Sequence, residues 1–292
     1  MEALIIECAL NEQVAVRENP RVPISADEIV EDALAAAEAG ASILHFHARD
    51  GDALLHPGTE FYRDVMRRIR RENREVLLYP TYGASATPEE RFSHLAALAE
   101  DPEIRLDFAT IDPGAVNLAD FDPAADDLGW DFVHSVSHAE CRHFLELAAR
   151  HRILFSFTVR EAGHVRHALA YRALGWVRDP LFFKVGMSDL HAWGVPPGPE
   201  GLRLLTAAIV PREVPYRWMS YVHGPSHAAL CRHAVEQGGH VRTGIGDNPR
   251  VGGALLSNAE QVARVVAMAR AVGREIASPA ETRRLLRSDP KA

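Results

Sequence analysis

The stretch Leu44-His45-Phe46-His47-Ala48-Arg49-Asp50 carries the residue types in this chain best suited to chemistry. The apolar run Ala41-Ser42-Ile43-Leu44 precedes it and follows Gly40, so it reads as a buried strand entered from a helix. Side chains on a strand alternate between faces, which points His45 and His47 one way and Leu44 and Phe46 the other. Two imidazoles at one strand end can share a zinc-type ion at about 2.0–2.1 Å each. The same spacing also suits one hydrogen-bonded core histidine and one facing solvent, so the pair alone leaves both readings open.

The elements that would position such a pair repeat along the chain. Ala3–Leu10 reads as a first strand, and Ser25 with Glu28 forms a capping box opening a helix with Ile29, Ala33, Ala36 and Ala37 on one face. The histidine strand follows at Ser42–His47, then a helix over Phe61–Arg70 and a strand at Val76–Tyr79. Thr87-Pro88-Glu89-Glu90 supplies a cap, an N1 proline and two early acids for a helix running to Ala99. Further strands fall near Leu106–Ile111, Ile153–Val159, Leu181–Val185, Arg217–Tyr221 and His240–Ile245. Helices separate them near Ala139–Ala149, Val165–Leu174, Gly201–Ala208 and Pro225–Gln237. Asn258 with Gln261 resembles a last capping pair, and Phe132–Ser135 is a ninth strand candidate taken as an excursion within a loop.

Strands alternating with helices imply parallel pairing through right-handed crossovers, and eight such units imply an α/β TIM (β/α)8 barrel with its chemistry at the carboxyl ends of the strands. No Gly/Ser linker, internal repeat or low-complexity tract divides residues 1–292, which read as a single domain with C-terminal helices.

Composition narrows the function classes. The chain has 292 residues, 47% hydrophobic and 25% charged, as in soluble globular proteins. A formal net charge of −8 without a basic block argues against nucleic acid and anionic membranes as partners. Cys8, Cys141 and Cys231 lie far apart without CxxC spacing, which suits a reducing cytoplasm better than a disulfide framework. No apolar run is long enough to span a bilayer, and the start of the chain reads as a strand rather than a signal peptide. Lys184 and Lys291 are the only lysines, so any Schiff-base chemistry falls to Lys184.

A barrel would bring the strand ends to one mouth. These ends are Leu10-Asn11-Glu12-Gln13, His45 to Asp50, Pro80-Thr81-Tyr82-Gly83-Ala84, Thr110-Ile111-Asp112-Pro113-Gly114, Tyr221-Val222-His223-Gly224-Pro225 and Arg242 to Asn248. The hydroxyl of Thr81 and the amides around Gly83 form a small polar turn able to hold a substrate carbonyl or carboxylate. Gly-rich turns also connect strands to helices whatever the function. It is the convergence of two histidines, an arginine and an acid that points to a site.

In order and spacing, the segments "IIECALNEQ", "EAGASILHFHARD", "PTYGA", "REAGHV" and "GGHVRTGIGDN" resemble the β-keto acid cleavage enzymes, from about Leu4 to Asn248. The resemblance implies a TIM barrel, commonly a homotetramer or else a homodimer, with a divalent metal, usually zinc, held by His45 and His47. The implied reaction joins a β-keto acid with acetyl-CoA, the co-substrate thioester, to give acetoacetate and a new acyl-CoA. Asp247 falls on the carboxylate that deprotonates the keto acid, and Arg242 on its arginine partner. Thr81 falls on a small hydroxyl residue that positions substrate, and Asp112 lies near another substrate contact.

Departures from the family are specific. Its third metal ligand, a glutamate, is replaced here by Gly246, and Glu12 stands where a glycine is common, which makes Glu12 the candidate replacement ligand. A substrate-binding glutamate of a characterised member corresponds to Val14, which argues against an amino-bearing keto acid. Three competing readings remain at this level. An amidohydrolase-type hydrolase needs further histidines after the fifth and sixth strands, where this chain has Arg160-Glu161 and Lys184-Val185-Gly186. The others are a Schiff-base aldolase using Lys184, and a non-catalytic binding relative that has lost the family metal site.

Overall fold

The alternation of apolar runs with capping signals folds into strand–helix repeats in a computed structural model that describes residues 1–51, 53, 54, 59–83, 87–119 and 131–287. Ala84 and Lys291, both named above, lie outside the described residues. In chain order the strands are β1 (Ile6–Ala9), β2 (Ile43–Phe46), the short β3 (Arg49–Asp50) and β4 (Ala53–Leu54), β5 (Leu77–Pro80) and β6 (Phe108–Ile111). They continue with β7 (Gly114–Ala119), β8 (Asp131–Val136), β9 (Leu154–Val159), β10 (Leu181–Ser188), β11 (Tyr216–His223) and β12 (His240–Thr243). The helices are α1 (Ala26–Ala39), α2 (Thr59–Glu72), α3 (Pro88–Ala99), α4 (His138–His151) and α5 (Ala162–Ala173). After them come α6 (Pro199–Leu205), α7 (His227–Glu236), α8 (Asn258–Ala271) and α9 (Pro279–Leu286).

Eight strands form one sheet in the order β5-β2-β1-β12-β11-β10-β9-β6, with every ladder parallel. Its two edges, β5 and β6, meet: the Leu78 N–H donates to the Asp107 carboxylate at 3.4 Å, and the rings of Tyr79 and Phe108 lie 5.1 Å apart. The result is a nearly closed (β/α)8 barrel, as the alternation implies. Outward residues such as Leu44, Phe46, Leu78, Val159 and Val185 are buried under the helices. Parallel strands covered on the outside and packed within read as near-continuous apolar runs for that reason.

Two details differ from the sequence reading. The last long helix is capped by Ser257 and Glu260, one residue earlier than Asn258 and Gln261. Those two side chains are buried instead, with Asn258 accepting from the Ile245 N–H and Gln261 donating to the Asn248 carbonyl, so they brace the loop after β12. The strands around residues 3–10 and 240–245 are shorter than the apolar runs, because only Ile6–Ala9 and His240–Thr243 are in the ladder. Phe132–Ser135 falls within β8, which pairs antiparallel with β7 as a hairpin outside the barrel sheet.

No helix among the described residues is long and apolar enough to cross a membrane. All three cysteines are buried and free.

Candidate active site

Glu12 lies in the loop after β1, and β2 ends on the two histidines; adjacent parallel strands bring these loops together, with Ala9 level with His45. Glu12 adopts a left-handed backbone at φ 39°, a conformation that favours glycine. A non-glycine residue held there costs about 1–3 kcal/mol and persists where the surroundings over-determine it. Its carboxylate sits 3.2 Å from His45 Nε2 and 2.7 Å from His47 Nε2, and the two ring nitrogens are 3.2 Å apart. Asn11 fixes the second histidine by accepting from its N–H at 2.8 Å and donating to its carbonyl at 3.0 Å.

The donor set fits a divalent cation. His45 Nδ1 lies 3.2 Å from the Tyr79 carbonyl, which only accepts, so Nδ1 carries the proton and Nε2 presents a lone pair. Burial pulls the His45 imidazole below its ordinary pKa, against the pull of Glu12. Burial also opposes charge on Glu12, but His47, His45 and Arg242 outweigh it and hold that carboxyl well below the usual range. An ionised carboxylate thus crowds the His45 lone pair, with ligand atoms of Glu12, His45 and His47 within 4.8 Å of one another. Two nitrogens bound tetrahedrally at about 2.0–2.1 Å would be roughly 3.3–3.4 Å apart, close to the spacing seen. Among the described residues, Glu12, His45 and His47 are the one group of three or more such side chains so arranged.

Gly246 explains how Glu12 reaches this position. A Cβ at residue 246 would meet Glu12 Cγ at 2.6 Å, so the space a side chain would enter is filled by Glu12.

Arg242, from β12, joins this cluster to Asp247. Its Nε and Nη2 each donate to the Asp247 carboxylate at 2.8 Å, and Nη2 also donates to Glu12. Its Nη1 donates to Glu7 at 2.9 Å and to the Tyr79 hydroxyl at 3.2 Å. The five guanidinium N–H groups are therefore all committed. Tyr221 covers its face, with the ring centre 5.1 Å from the guanidinium carbon, and Gly186 leaves room for that ring because a Cβ there would strike the phenol.

Beneath Arg242 lies a charged layer that the sequence reading did not find. Glu7 is fully buried and accepts from Tyr79 Oη at 2.5 Å and Lys184 Nζ at 3.2 Å, while Lys184 also donates to Tyr79 Oη at 2.7 Å. Tyr79 in turn stacks on His45 with ring centres 4.3 Å apart. An acid inside the apolar run Ile5-Ile6-Glu7-Cys8-Ala9 was the one signal of this layer. Burial lowers the Lys184 pKa against the pull of Glu7. A Schiff-base lysine must present a free amine to the pocket, whereas Lys184 is tied down below it, so the aldolase reading is not favoured.

The remaining expected residues sit apart from this cluster. Asp112 closes β6 and accepts from the Tyr82 hydroxyl at 3.0 Å, with His134 Nε2 at 3.2 Å and Arg160 Nη1 at 3.5 Å. Burial raises its pKa, but Arg160 and His134 prevail and hold it well below the carboxylate range. Arg160, at the end of β9, lies over the Trp193 ring at 5.8 Å. Thr81 Oγ1 makes only a 3.5 Å contact with the Tyr82 carbonyl among described residues, and the Gly83 carbonyl accepts from Arg91 Nε at 2.9 Å. Val14 packs with Val22 and Ile245 in a small apolar cluster.

Comparison with known proteins shows the family and the fold. A family model described as beta-keto acid cleavage enzyme matches residues 3–287. The chain is 28% identical over 300 residues to a 3-keto-5-aminohexanoate cleavage enzyme of Fusobacterium nucleatum subsp. nucleatum, covering 98% of each. It is equally 28% identical to a 3-oxoadipate:acetyl-CoA acetyltransferase of Cupriavidus necator, covering 92% of this chain and 89% of that one. Among solved structures, apo ObcA superposes with a TM-score of 0.70 at 14% identity over 91% of this chain. The chain spans 65% of that longer protein, and the likeness shows the fold.

Proposed function

Because the chain belongs to the beta-keto acid cleavage enzyme family, we propose that it converts a β-keto acid and acetyl-CoA into acetoacetate and a new acyl-CoA. The observation that carries this reading is a single guanidinium, Arg242, bonded at once to Glu12 of the His45–His47 cluster and to Asp247. A metal-ligand set and a carboxylate base on one nitrogen lie within two hydrogen-bond lengths, the separation a small keto acid can bridge.

Glu12, His45 and His47 would hold a divalent metal, for which we propose zinc on the strength of two imidazoles and one carboxylate. Such an ion supplies Lewis acidity, polarising the keto oxygen and acidifying the α-carbon. Asp247 removes the α-proton, and the bidentate contact from Arg242 holds its carboxylate in a fixed orientation. The α-carbon then forms a bond to the acetyl carbon of acetyl-CoA, expelling the CoA thiolate. Return of that thiolate to the original keto carbon breaks the C2–C3 bond, C2 takes back the proton held by Asp247, and acetoacetate and acyl-CoA are released. Arg242 itself is fully paired and acts on Asp247 and Glu12 rather than on substrate. Thr81, Gly83 and Asp112 are proposed to line the substrate side of the mouth. We further propose a cytoplasmic homo-oligomer, a tetramer or dimer, testable by light scattering.

The related enzymes act, by name, on an amino-bearing and a dicarboxylic keto acid at the same identity, so overall similarity does not choose between them. The testing experiment combines elemental analysis of the purified protein with detection of acetoacetate from β-keto acids and acetyl-CoA. One bound metal per chain and acetoacetate formation are expected, both lost in His45→Ala/His47→Ala. Metal-free wild type, or an unchanged double variant, overturns the proposal.

A further inference from the structure

The geometry points to Arg160 as an anchor for a second anionic group, so that the substrate is a β-keto acid with a carboxylate at its far end. This rests on the reaction proposed above and specifies its substrate class.

The argument begins with the barrel order. Around the ring β5-β2-β1-β12-β11-β10-β9-β6, β9 stands opposite β1, which sets Arg160 across the mouth from Glu12. Eight strands about 4.8 Å apart and tilted about 36° enclose a mouth on the order of 15 Å across, which two inward-reaching side chains narrow to a small-molecule gap. A ligand seated at the histidine cluster therefore presents its other end to Arg160.

The cations of the mouth are not equally available. Arg242 has every N–H in use. Arg160 is different: Nε and Nη1 are buried without a hydrogen bond, and no described residue accepts one from its side chain. Its one ion-pair partner among the described residues, Asp112 at 3.5 Å, is shared with His134 and the Tyr82 hydroxyl. Buried guanidinium donors left unpaired are costly, and a planar carboxylate is the acceptor that fits their fork.

The alternative of a cationic tail is closed by the same residues. The aromatic surface here is built by the loop after β10, where Trp193 stacks on His191 at 4.9 Å and meets His223 at 5.8 Å. That surface would suit a substrate ammonium, but the Trp193 ring is already covered by Arg160. The loop is locked in place, since the Gly194 N–H donates to Glu161 at 2.9 Å, with φ 58° at Gly194. A Cβ at Gly194 would collide with the Arg160 carbonyl.

The test uses the metal-loaded wild type with 3-oxohexanoate and 3-oxoadipate, which differ only in a terminal methyl or carboxylate. Two quantities are read, the acetyl-CoA-dependent kcat/KM and, without acetyl-CoA, the calorimetric Kd. Wild type should favour 3-oxoadipate, mainly through KM and Kd. Arg160→Met should shrink the ratio of the two substrates by about 10- to 100-fold, as expected for losing a charge-assisted bond to a carboxylate. Arg160→Lys should retain part of the preference. A wild type that does not prefer 3-oxoadipate overturns the inference without needing any variant, as does an Arg160→Met enzyme that weakens both substrates equally. Should neither acid yield acetoacetate while 3-oxoadipate still binds in an Arg160-dependent way, the reaction fails and the anchor stands.

Discussion

Replacing Gly246 with alanine probes the metal cluster without touching a ligand. The new Cβ would lie 2.6 Å from Glu12 Cγ, and 3.0 and 3.1 Å from the Ala9 carbonyl and the Glu12 nitrogen. Non-bonded carbons settle near 3.5–4.0 Å, so the Glu12 side chain must retreat by about 1 Å. Metal–ligand distances tolerate roughly 0.2 Å, and disturbing even an outer-shell contact lowers affinity about 10- to 100-fold. Gly246→Ala should therefore weaken metal binding by at least that factor, and Glu12→Gln by more, since it removes the anionic ligand itself. Glu12→Gly/Gly246→Glu should recover binding, because the glycine releases the left-handed backbone at position 12 and vacates the space a glutamate needs. Metal content after dialysis and competition against a chelator give the affinities. Stoichiometric metal with wild-type affinity in Glu12→Gln would refute the reasoning, and so would a Gly246→Ala protein indistinguishable from wild type.

Asp247→Asn should keep the fold and the metal while lowering kcat by about 10² to 10⁴, the loss expected for a missing general base; wild-type turnover removes the assignment. Lys184→Met leaves Glu7 buried without its ammonium partner, so a loss of about 3–5 kcal/mol is expected by denaturant titration. Adding Glu7→Gln should return part of it, and a Lys184→Met protein as stable as wild type contradicts the buried pair. Burial lowers the pKa of His240, whose Nδ1 accepts from the Ile5 N–H at 3.0 Å, to about 3, and that of His227 to about 4. Between those values and 6.5 the unfolded chain binds more protons, so stability is complete above about pH 6.5 and is lost as pH falls. At 1.36 kcal/mol per unit, His240 alone contributes on the order of 5 kcal/mol. His240→Asn, which retains an acceptor but cannot titrate, should flatten this acid limb in thermal melts from pH 7 to pH 4; an unchanged slope removes His240 as its cause.

Much of the barrel was legible because its signals are local. Period-two alternation sets His45 and His47 on one face, and Ser25-x-x-Glu28 and Thr87-Pro88 mark helix starts that the structure contains. Where two local signals overlap, as in Ser257-Asn258-Ala259-Glu260-Gln261, either pair satisfies the capping pattern, and tertiary demand for buried Asn258 and Gln261 decides between them. The charged layer under the site was not legible, since Glu7, Tyr79, Lys184 and Arg242 are far apart in sequence and meet only when the barrel closes. Arg160 reads as an ordinary strand-end arginine, and its pairing with Asp112 depends on the β6–β9 neighbourhood. Glu12 was legible only through what Gly246 lacks, an inference by subtraction that the filled space beside Gly246 supports.

The central claim is that the acetyl group of acetyl-CoA becomes part of acetoacetate on this protein. Metal-loaded enzyme incubated with a β-keto acid and acetyl-CoA carrying ¹³C at the acetyl carbonyl tests it directly. The account predicts label at C3 of acetoacetate, with the new acyl-CoA unlabelled. Acetoacetate without label, or none formed from 3-oxohexanoate or 3-oxoadipate by the metal-loaded protein, would contradict it.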